Sequence, residues 1–233
     1  MRRSRPAVGA CAVAATVLAV LVVVLPTARA KTANARYATG SEIASPQQRS
    51  LALRAGPGSA RVLARVGRQT VFGSATRIAV VGEDGDWLEV ISELLPNNAH
   101  GYVRRSDVSL TRRAYVLEAD LSRRELVVWR WGEPTRRFPV GIGARVSPTP
   151  TGSFSVTDKF SRYQPAIYGC CLLALSGHQT HLPPGWRGGD RLAIHEGDGI
   201  GQEVSAGCLR GSRTNLRYLM RTIPLGTQVV VRP

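Results

Sequence analysis

The chain has 233 residues, and its 31 lysines and arginines against 16 aspartates and glutamates leave a net charge of +15. A hydrophobic content of 43% with 20% charged residues is that of a globular protein with a buried core rather than of a disordered chain. The length suits one medium-sized domain beside a small one. The basic excess favours an anionic partner, which can be nucleic acid, an anionic membrane surface or an acidic polymer.

The first thirty residues have the pattern of an export signal. Arginines at positions 2, 3 and 5 precede an apolar run over residues 7–25, and Ala28-Arg29-Ala30 supplies a signal-peptidase site. The run is somewhat long for a signal, so a retained membrane anchor is the alternative. We therefore predict an exported protein, periplasmic or extracellular, that contacts a membrane only if residues 7–25 are retained. Export argues against nucleic acid and favours anionic wall polymers as partners.

Three cysteines remain once residues 1–30 are removed: Cys170, Cys171 and Cys208. An odd number leaves at least one thiol unpaired in an exported monomer. No Cys-x-x-Cys spacing is present, so we expect no structural zinc, and we expect no other metal or cofactor. For Cys170 and Cys171 we expect two small residues at a strand start, one or both of them buried. A vicinal disulfide or redox pair is the alternative.

The middle of the chain predicts a small β-rich unit. Residues 31–47 are polar without apolar periodicity, and they predict a flexible linker. Over residues 48–111 short strand patterns alternate with turn signals, which predicts a small β-barrel. Its predicted strands include Val71-Phe72-Gly73, residues 77–81 and residues 87–90.

Residues 112–233 predict a second, larger β-rich domain. Residues 115–120 and 125–131 form a plausible hairpin, and further strands are predicted at 138–143, 152–156, 192–195 and 227–231. Apolar residues repeat at helical spacing from Leu216 to Ile223, with Ser212 as a plausible N-cap. The predicted fold class is therefore mainly β, with one short helix near the carboxyl end.

A candidate catalytic constellation lies between His195 and Arg210. His195 ends a predicted strand, and a glycine-rich loop returns the chain to Ser205-Ala206-Gly207-Cys208-Leu209-Arg210. A nucleophilic cysteine needs a base within hydrogen-bond reach and donors for the developing oxyanion. His195 is the candidate base, and once protonated it would lower the pKa of the Cys208 thiol. Gly207 would expose backbone N–H groups to the oxyanion.

Two further residues of this stretch are candidates for substrate binding. Arg210, two positions after Cys208, would share its face in an extended segment and could bind a carboxylate. Ser205 would hydrogen-bond a substrate amide or steady the loop. By spacing alone, a structural histidine and a buried cysteine remain an alternative.

These motifs resemble those of a known family. His195 with residues 205–210, together with Pro139-Val140-Gly141-Ile142-Gly143 and Thr149-Pro150-Thr151-Gly152, is similar to the L,D-transpeptidase catalytic domain, also called YkuD-like. Residues 48–111 resemble bacterial SH3-like modules through the stretches at Trp87-Leu88-Glu89-Val90 and Gly101-Tyr102-Val103. The module would bind the wall or present substrate; a packing domain without a ligand is the alternative.

The transpeptidase resemblance implies a substrate and a reaction. The substrate would be the stem peptides of peptidoglycan, and the location the cell wall. The Cys208 thiolate would attack a stem-peptide carbonyl, release the terminal D-alanine and pass the acyl group to an acceptor amine, which gives a 3→3 cross-link. Carbapenems are implied as covalent inhibitors. Two alternatives remain open: a carboxypeptidase-type cysteine hydrolase and a non-catalytic wall-binding protein.

Some residues depart from the family pattern. Glu196 stands where glycine is common after the histidine, and Ala206 where a basic residue or histidine is common. Strand alternation predicts that the Glu196 side chain points away from His195. These departures leave the candidate nucleophile and base in place and concern donor and acceptor recognition.

Overall fold

The structure is a computed structural model that describes residues 37–162 and 166–233. The predicted signal or anchor and the first residues of the predicted linker lie outside these ranges. The described residues are mainly β, as predicted, and form two large sheets and one short two-stranded sheet. Within these ranges no helix combines the length and apolar character needed to cross a membrane.

The first large sheet contains the first seven strands, in the order β3-β2-β6-β5-β4-β1-β7, with every pairing antiparallel. Alternation buries Leu88 and Val90 of β5, which pack with Leu53 and Val103 in one apolar cluster. The strands are β1 (Ser41–Pro46), β2 (Ser50–Arg54), β3 (Val62–Gly67), β4 (Ile78–Asp84), β5 (Trp87–Ile91), β6 (Gly101–Arg104) and β7 (Val108–Arg113).

Two expectations about this region are wrong. Residues 41–46, expected to belong to a flexible linker, form β1, because their backbone pairs with both β4 and β7. Val71-Phe72-Gly73, expected as a strand, is a turn: Gly73 has a φ of +86° and donates its N–H to the Thr70 carbonyl. Long-range pairing decides the polar segment, which composition does not report. Local hydrogen bonds to Thr70 and the positive φ of Gly73 decide the apolar triplet.

The second large sheet has the order β10-β9-β8-β17-β12-β13-β14-β16. It is mixed, since β17 pairs parallel with β8 and β14 pairs parallel with β16. The short sheet joins β11 and β15. The strands are β8 (Tyr115–Asp120), β9 (Glu125–Arg130), β10 (Glu133–Pro139), β11 (Ile142–Gly143), β12 (Gly152–Phe160), β13 (Leu172–His178), β14 (Arg191–Glu196), β15 (Glu203–Ser205), β16 (Leu209–Gly211) and β17 (Gln228–Arg232).

Helix α1 (Arg213–Thr222) follows β16 and covers this sheet. The Ser212 side chain accepts a hydrogen bond from the Asn215 N–H and so caps the helix, as predicted. Leu216 and Leu219 are fully buried in the main core, beside β13 and β14. The helix therefore stabilises the edge of the sheet that carries the candidate site.

Polar contacts join the first sheet to the second. The buried Ser41 hydroxyl donates to the Tyr115 carbonyl at 2.6 Å and accepts from the Gln228 N–H at 2.9 Å. Thr70 donates to the buried Asp158 carboxylate at 2.5 Å. The His178 backbone N–H donates to the Asn97 side-chain oxygen at 2.8 Å. The two sheets thus pack against one another through specific side chains.

Candidate active site

The parallel pairing of β14 with β16 brings the two candidate catalytic residues together. In its register Ile194 lies opposite Leu209 and His195 opposite Arg210, so Cys208 enters the sheet beside the strand that carries His195. Cys208, His195, Ser205 and Arg210 line one cavity of about 70 Å³. Gly207 directly precedes Cys208. The structure therefore gathers the sequence-predicted residues at one place.

His195 is held in one orientation and one tautomer. Its side chain is buried, and Nδ1 lies 2.7 Å from the Glu196 carbonyl oxygen. A carbonyl oxygen only accepts, so Nδ1 carries the proton and Nε2 is left as the basic nitrogen. The Tyr168 ring packs edge-on, with 4.9 Å between ring centroids. The imidazole is thereby prepared to take a proton through Nε2.

Burial lowers the pKa of His195 to about 4 because it penalises the imidazolium; the Glu196 carbonyl opposes this shift and the Arg210 charge adds to it. Burial also raises the pKa of the Cys208 thiol to about 11, against the Ala193 backbone hydrogen bond and the Arg210 charge. At neutral pH both groups are therefore uncharged. The expectation that a protonated His195 lowers the pKa of the thiol stays a prediction; burial opposes the charged form of both groups.

Ser205 organises the turn that carries Cys208. Its buried hydroxyl donates to the Cys208 carbonyl at 2.6 Å and accepts from the Gly207 N–H at 3.0 Å. Of the two roles predicted for Ser205, the structure displays the steadying of the loop. The Gly207 N–H, expected to face an oxyanion, is directed to Ser205.

Replacing Ser205 with alanine removes both of these hydrogen bonds. We expect Ser205→Ala to lower the free energy of unfolding by about 1–3 kcal/mol, because a buried N–H and a buried carbonyl lose their partner. Urea unfolding of both proteins measures the difference. Ser109→Ala, at an exposed position of β7, is the matched control and should change stability by less than about 0.5 kcal/mol. Equal effects of the two substitutions would contradict the role given to Ser205.

Gln179 is a site residue that the sequence did not reveal. It is buried, lines the cavity, and its Nε2 donates to the Pro148 carbonyl at 3.0 Å and the Ala206 carbonyl at 3.1 Å. A Cβ atom on Gly207 would lie 2.1 Å from this nitrogen. Gln179 therefore braces the Cys208 turn against the loop before β12. Only the folding of distant segments places it there, and no local motif marks it.

Arg210 lies where the cavity meets a wider groove. It lines both the cavity and the neighbouring groove of about 650 Å³ that runs past Glu196 and Arg213. Its Nε is buried and, among the described residues, has no hydrogen-bond partner. A buried donor without a partner favours an anionic ligand at this point. Its predicted placement beside Cys208 agrees with the shared cavity.

Glu196 and the cysteine pair lie behind His195. The Glu196 carboxylate accepts from Arg213 Nε at 2.8 Å and from the Cys170 N–H, so it points away from the imidazole as predicted. Cys170 and Cys171 are joined by a disulfide, while Cys208 is free. The expectation of two separate small residues is therefore corrected. The pair lies in a turn before β13, where strand alternation does not separate neighbouring side chains.

The described residues contain no group of three or more His, Cys, Asp or Glu side chains that could hold a metal ion. His178, a conceivable ligand, has both ring nitrogens engaged, by Asp190 at 3.0 Å and by the Glu93 carbonyl at 2.8 Å.

A mainly β fold that places a free cysteine and an oriented histidine in one cavity is the arrangement of an enzyme with a cysteine nucleophile. The family model of the L,D-transpeptidase catalytic domain, YkuD, matches residues 114–231, about half of the chain. The chain therefore belongs to the L,D-transpeptidase catalytic-domain family. No curated protein matches the chain.

Several solved structures are similar to the chain. An L,D-transpeptidase from Mycobacterium tuberculosis H37Rv is 24% identical with a TM-score of 0.43, over 57% of this chain and 64% of that one. An L,D-transpeptidase from Stackebrandtia nassauensis is 18% identical with a TM-score of 0.40, over 53% and 57%. LD transpeptidase LdtMt1 in complex with imipenem is 18% identical with a TM-score of 0.43, over 87% and 85%. The matches thus span less than two thirds of the length of the first two proteins.

Proposed function

We propose that the protein is a peptidoglycan L,D-transpeptidase with Cys208 as nucleophile and His195 as base. The observation that carries the proposal is the convergence of the free Cys208 and the tethered His195 on one cavity within a matched catalytic domain. The donor substrate is a stem peptide, and no cofactor is required because the peptide bond that is broken supplies the free energy.

The first half-reaction acylates Cys208. The neutral thiol passes its proton to His195 Nε2 as the sulfur attacks the donor carbonyl, because neither charged form is populated beforehand at neutral pH. Backbone N–H groups at Gly207 and Cys208 hold the oxyanion, which requires the Gly207 N–H to leave Ser205. The imidazolium then protonates the leaving amine, and the terminal D-alanine departs. Arg210 binds a substrate carboxylate through its unpartnered Nε.

The second half-reaction transfers the acyl group. His195 deprotonates an acceptor amine, which attacks the thioester and restores the free thiol. An amine on a second stem gives a 3→3 cross-link, whereas water in its place makes the protein a carboxypeptidase. The second outcome is the alternative function, and a non-catalytic wall-binding protein is the third.

We also propose that the protein is exported to the cell wall and that its first sheet is an SH3-like module which helps to present substrate. Phe72, in the turn between β3 and β4, packs edge-on against Phe160, with 5.5 Å between centroids. Phe72 also lines an apolar cavity of about 100 Å³ that shares Tyr168 and Leu192 with the catalytic cavity. The region of the first sheet thus lines a cavity next to the candidate active site. This favours a module that presents substrate over one that serves packing alone.

Carbapenem labelling tests the nucleophile. Intact-protein mass spectrometry after exposure to meropenem should detect one adduct on the wild-type protein, located on Cys208 by peptide mapping. Cys208→Ala should carry none, since its only other described cysteines form a disulfide. An unmodified wild-type protein, or equal labelling of Cys208→Ala, would contradict the proposal that the protein is an enzyme with Cys208 as nucleophile.

Product analysis separates transfer from hydrolysis. A tetrapeptide-stem substrate should yield a cross-linked dimer together with free D-alanine. Release of tripeptide without any dimer would identify the carboxypeptidase instead, and absence of both products would favour the wall-binding protein.

A further inference from the structure

A row of arginines lies on the exposed side of α1. Arg213, Arg217 and Arg221 are spaced four residues apart, so they share one face at intervals of about 6 Å. All three are exposed. Arg162 lies just after β12. Together with it, the three arginines line a groove of about 720 Å³ that Met220, Cys170 and Cys171 also line.

This arrangement is unfavourable for the helix by itself. Like charges four residues apart repel one another, and α1 contains no acidic residue to offset them. Arg213 also places a positive charge in the first turn, where the helix dipole disfavours cations. An anion bound along this face would relieve both effects. The stability of the helix therefore does not explain why three arginines lie along this face of α1.

Most of this charge has no partner within the protein. Arg213 pairs with Glu196 at 2.8 Å, but Arg162, Arg217 and Arg221 form no ion pair within residues 37–162 and 166–233. Some arginines elsewhere form ion pairs, as Arg105 does with Glu83 at 2.8 Å, while others among the described residues form none. What distinguishes this set is that its members line one groove. The described residues that line the groove include no acidic side chain. It is thus a concave surface of one sign of charge.

The groove continues towards the candidate active site. Arg213 lines both this groove and the one of about 650 Å³ that Arg210 borders, and Arg210 in turn lines the catalytic cavity. A long ligand in the groove would therefore lie beside the site where the acyl group is transferred.

We propose that this groove binds a linear phosphodiester polymer of the cell wall. Guanidinium forks suit phosphate oxygens, and phosphodiesters remain ionised throughout the physiological pH range. Three arginines spread over about 12 Å match charges that repeat along a polymer backbone, whereas a single carboxylate would engage only one of them. The polymer would keep the enzyme on the wall. Its position near the active site rests on the proposed function, but the binding itself does not.

The test is a binding measurement with protein that carries Cys208→Ala, so that transpeptidation plays no part in the result. The probe is fluorescently labelled poly(glycerol phosphate), titrated at two salt concentrations. We expect Arg217→Gln/Arg221→Gln to weaken binding about tenfold or more. The slope of log Kd against the logarithm of salt concentration should decrease by about one to two. Arg217→Lys/Arg221→Lys keeps the charge but loses the fork, and it should bind with intermediate affinity.

Arg61→Gln/Arg65→Gln is the matched control, because it removes two exposed arginines from the first sheet. It should bind as the parent protein does. The proposal is overturned if the α1 and control pairs weaken binding equally, or if polyglutamate with the same number of charges binds as tightly as the phosphodiester. Thermal melting should find the α1 pair no less stable than its parent. Should it be less stable, Arg217→Gln and Arg221→Gln are measured singly against the same criteria.

Discussion

Replacement of His195 with glutamine is expected to slow acylation of Cys208 by about a thousandfold, the middle of the range for a lost general base. Glutamine is similar in length, and its amide can still donate to the Glu196 carbonyl that now holds Nδ1 at 2.7 Å. It has no group that accepts the thiol proton. The rate of meropenem adduct formation, followed by mass spectrometry, measures the effect.

The dependence of this rate on pH tests the charge state of the pair. Burial lowers the pKa of His195 to about 4 and raises the pKa of Cys208 to about 11. The reactive form is thus neutral thiol with neutral imidazole, so the rate should be level from about pH 5 to 9. It should fall as pH drops through about 4, because protonation of His195 removes the base. A resting thiolate–imidazolium pair would instead give a bell-shaped profile.

His100→Gln is the matched control for both measurements, since His100 lies in the first sheet against Glu89. It should leave the rate and the pH profile unchanged. A decline that already begins below about pH 6.5 would mean that His195 titrates as an ordinary, solvated histidine. A rate for His195→Gln within about tenfold of the parent would remove it as the base.

Gly207→Ala is expected to reduce the acylation rate by about a hundredfold and the free energy of unfolding by about 3 kcal/mol. Gly207 has a φ of +111°, which residues with a side chain rarely adopt, and an added Cβ would lie 2.1 Å from Gln179 Nε2. Gln179 is buried and bonded to three carbonyls, so it cannot move aside freely. The turn before Cys208 must shift, and the sulfur shifts with it.

Gly201→Ala separates the effect of backbone strain from that of the clash with Gln179. Gly201 also has a positive φ, +76°, but a Cβ there would meet nothing within 4 Å. It should cost only the backbone strain, about 1–2 kcal/mol, and leave acylation within a few-fold of the parent. Urea unfolding and adduct kinetics measure both variants. Equal losses in the two would mean that contact with Gln179 has no part in positioning Cys208.

The elements predicted from local pattern are those that local interactions stabilise. The hairpin of β8 and β9 has strands at 115–120 and 125–130, within a residue of the predicted bounds. Helix α1 begins after its predicted cap at Ser212, because the apolar spacing and the capping side chain are both local. In contrast, β1 depends on partners far along the chain, and there the prediction of a linker is wrong. The strand predicted at residues 71–73 is also wrong, because local hydrogen bonds to Thr70 form a turn.

The candidate site divides in the same way. Cys208, His195 and Arg210 could be identified because chemistry restricts the residue types and the family resemblance gives their order. Gln179 could not, because its contacts with Pro148 and Ala206 join segments about thirty residues apart. Two adjacent cysteines in a sequence are compatible both with two separate small residues and with a vicinal disulfide. The conformation of the turn decides for the disulfide.

By itself the sequence determined the mainly β class, the family resemblance, the candidate nucleophile and base, and the excess of positive charge. Each of these follows from residue type, order or short-range periodicity. Only the tertiary structure decided the burial that shifts the pKa values of His195 and Cys208, the contacts of Gln179 with the Cys208 turn, and the alignment of the α1 arginines with a groove. These depend on burial and on approach between distant segments, and desolvation in particular is a property of the packed chain rather than of any residue within it.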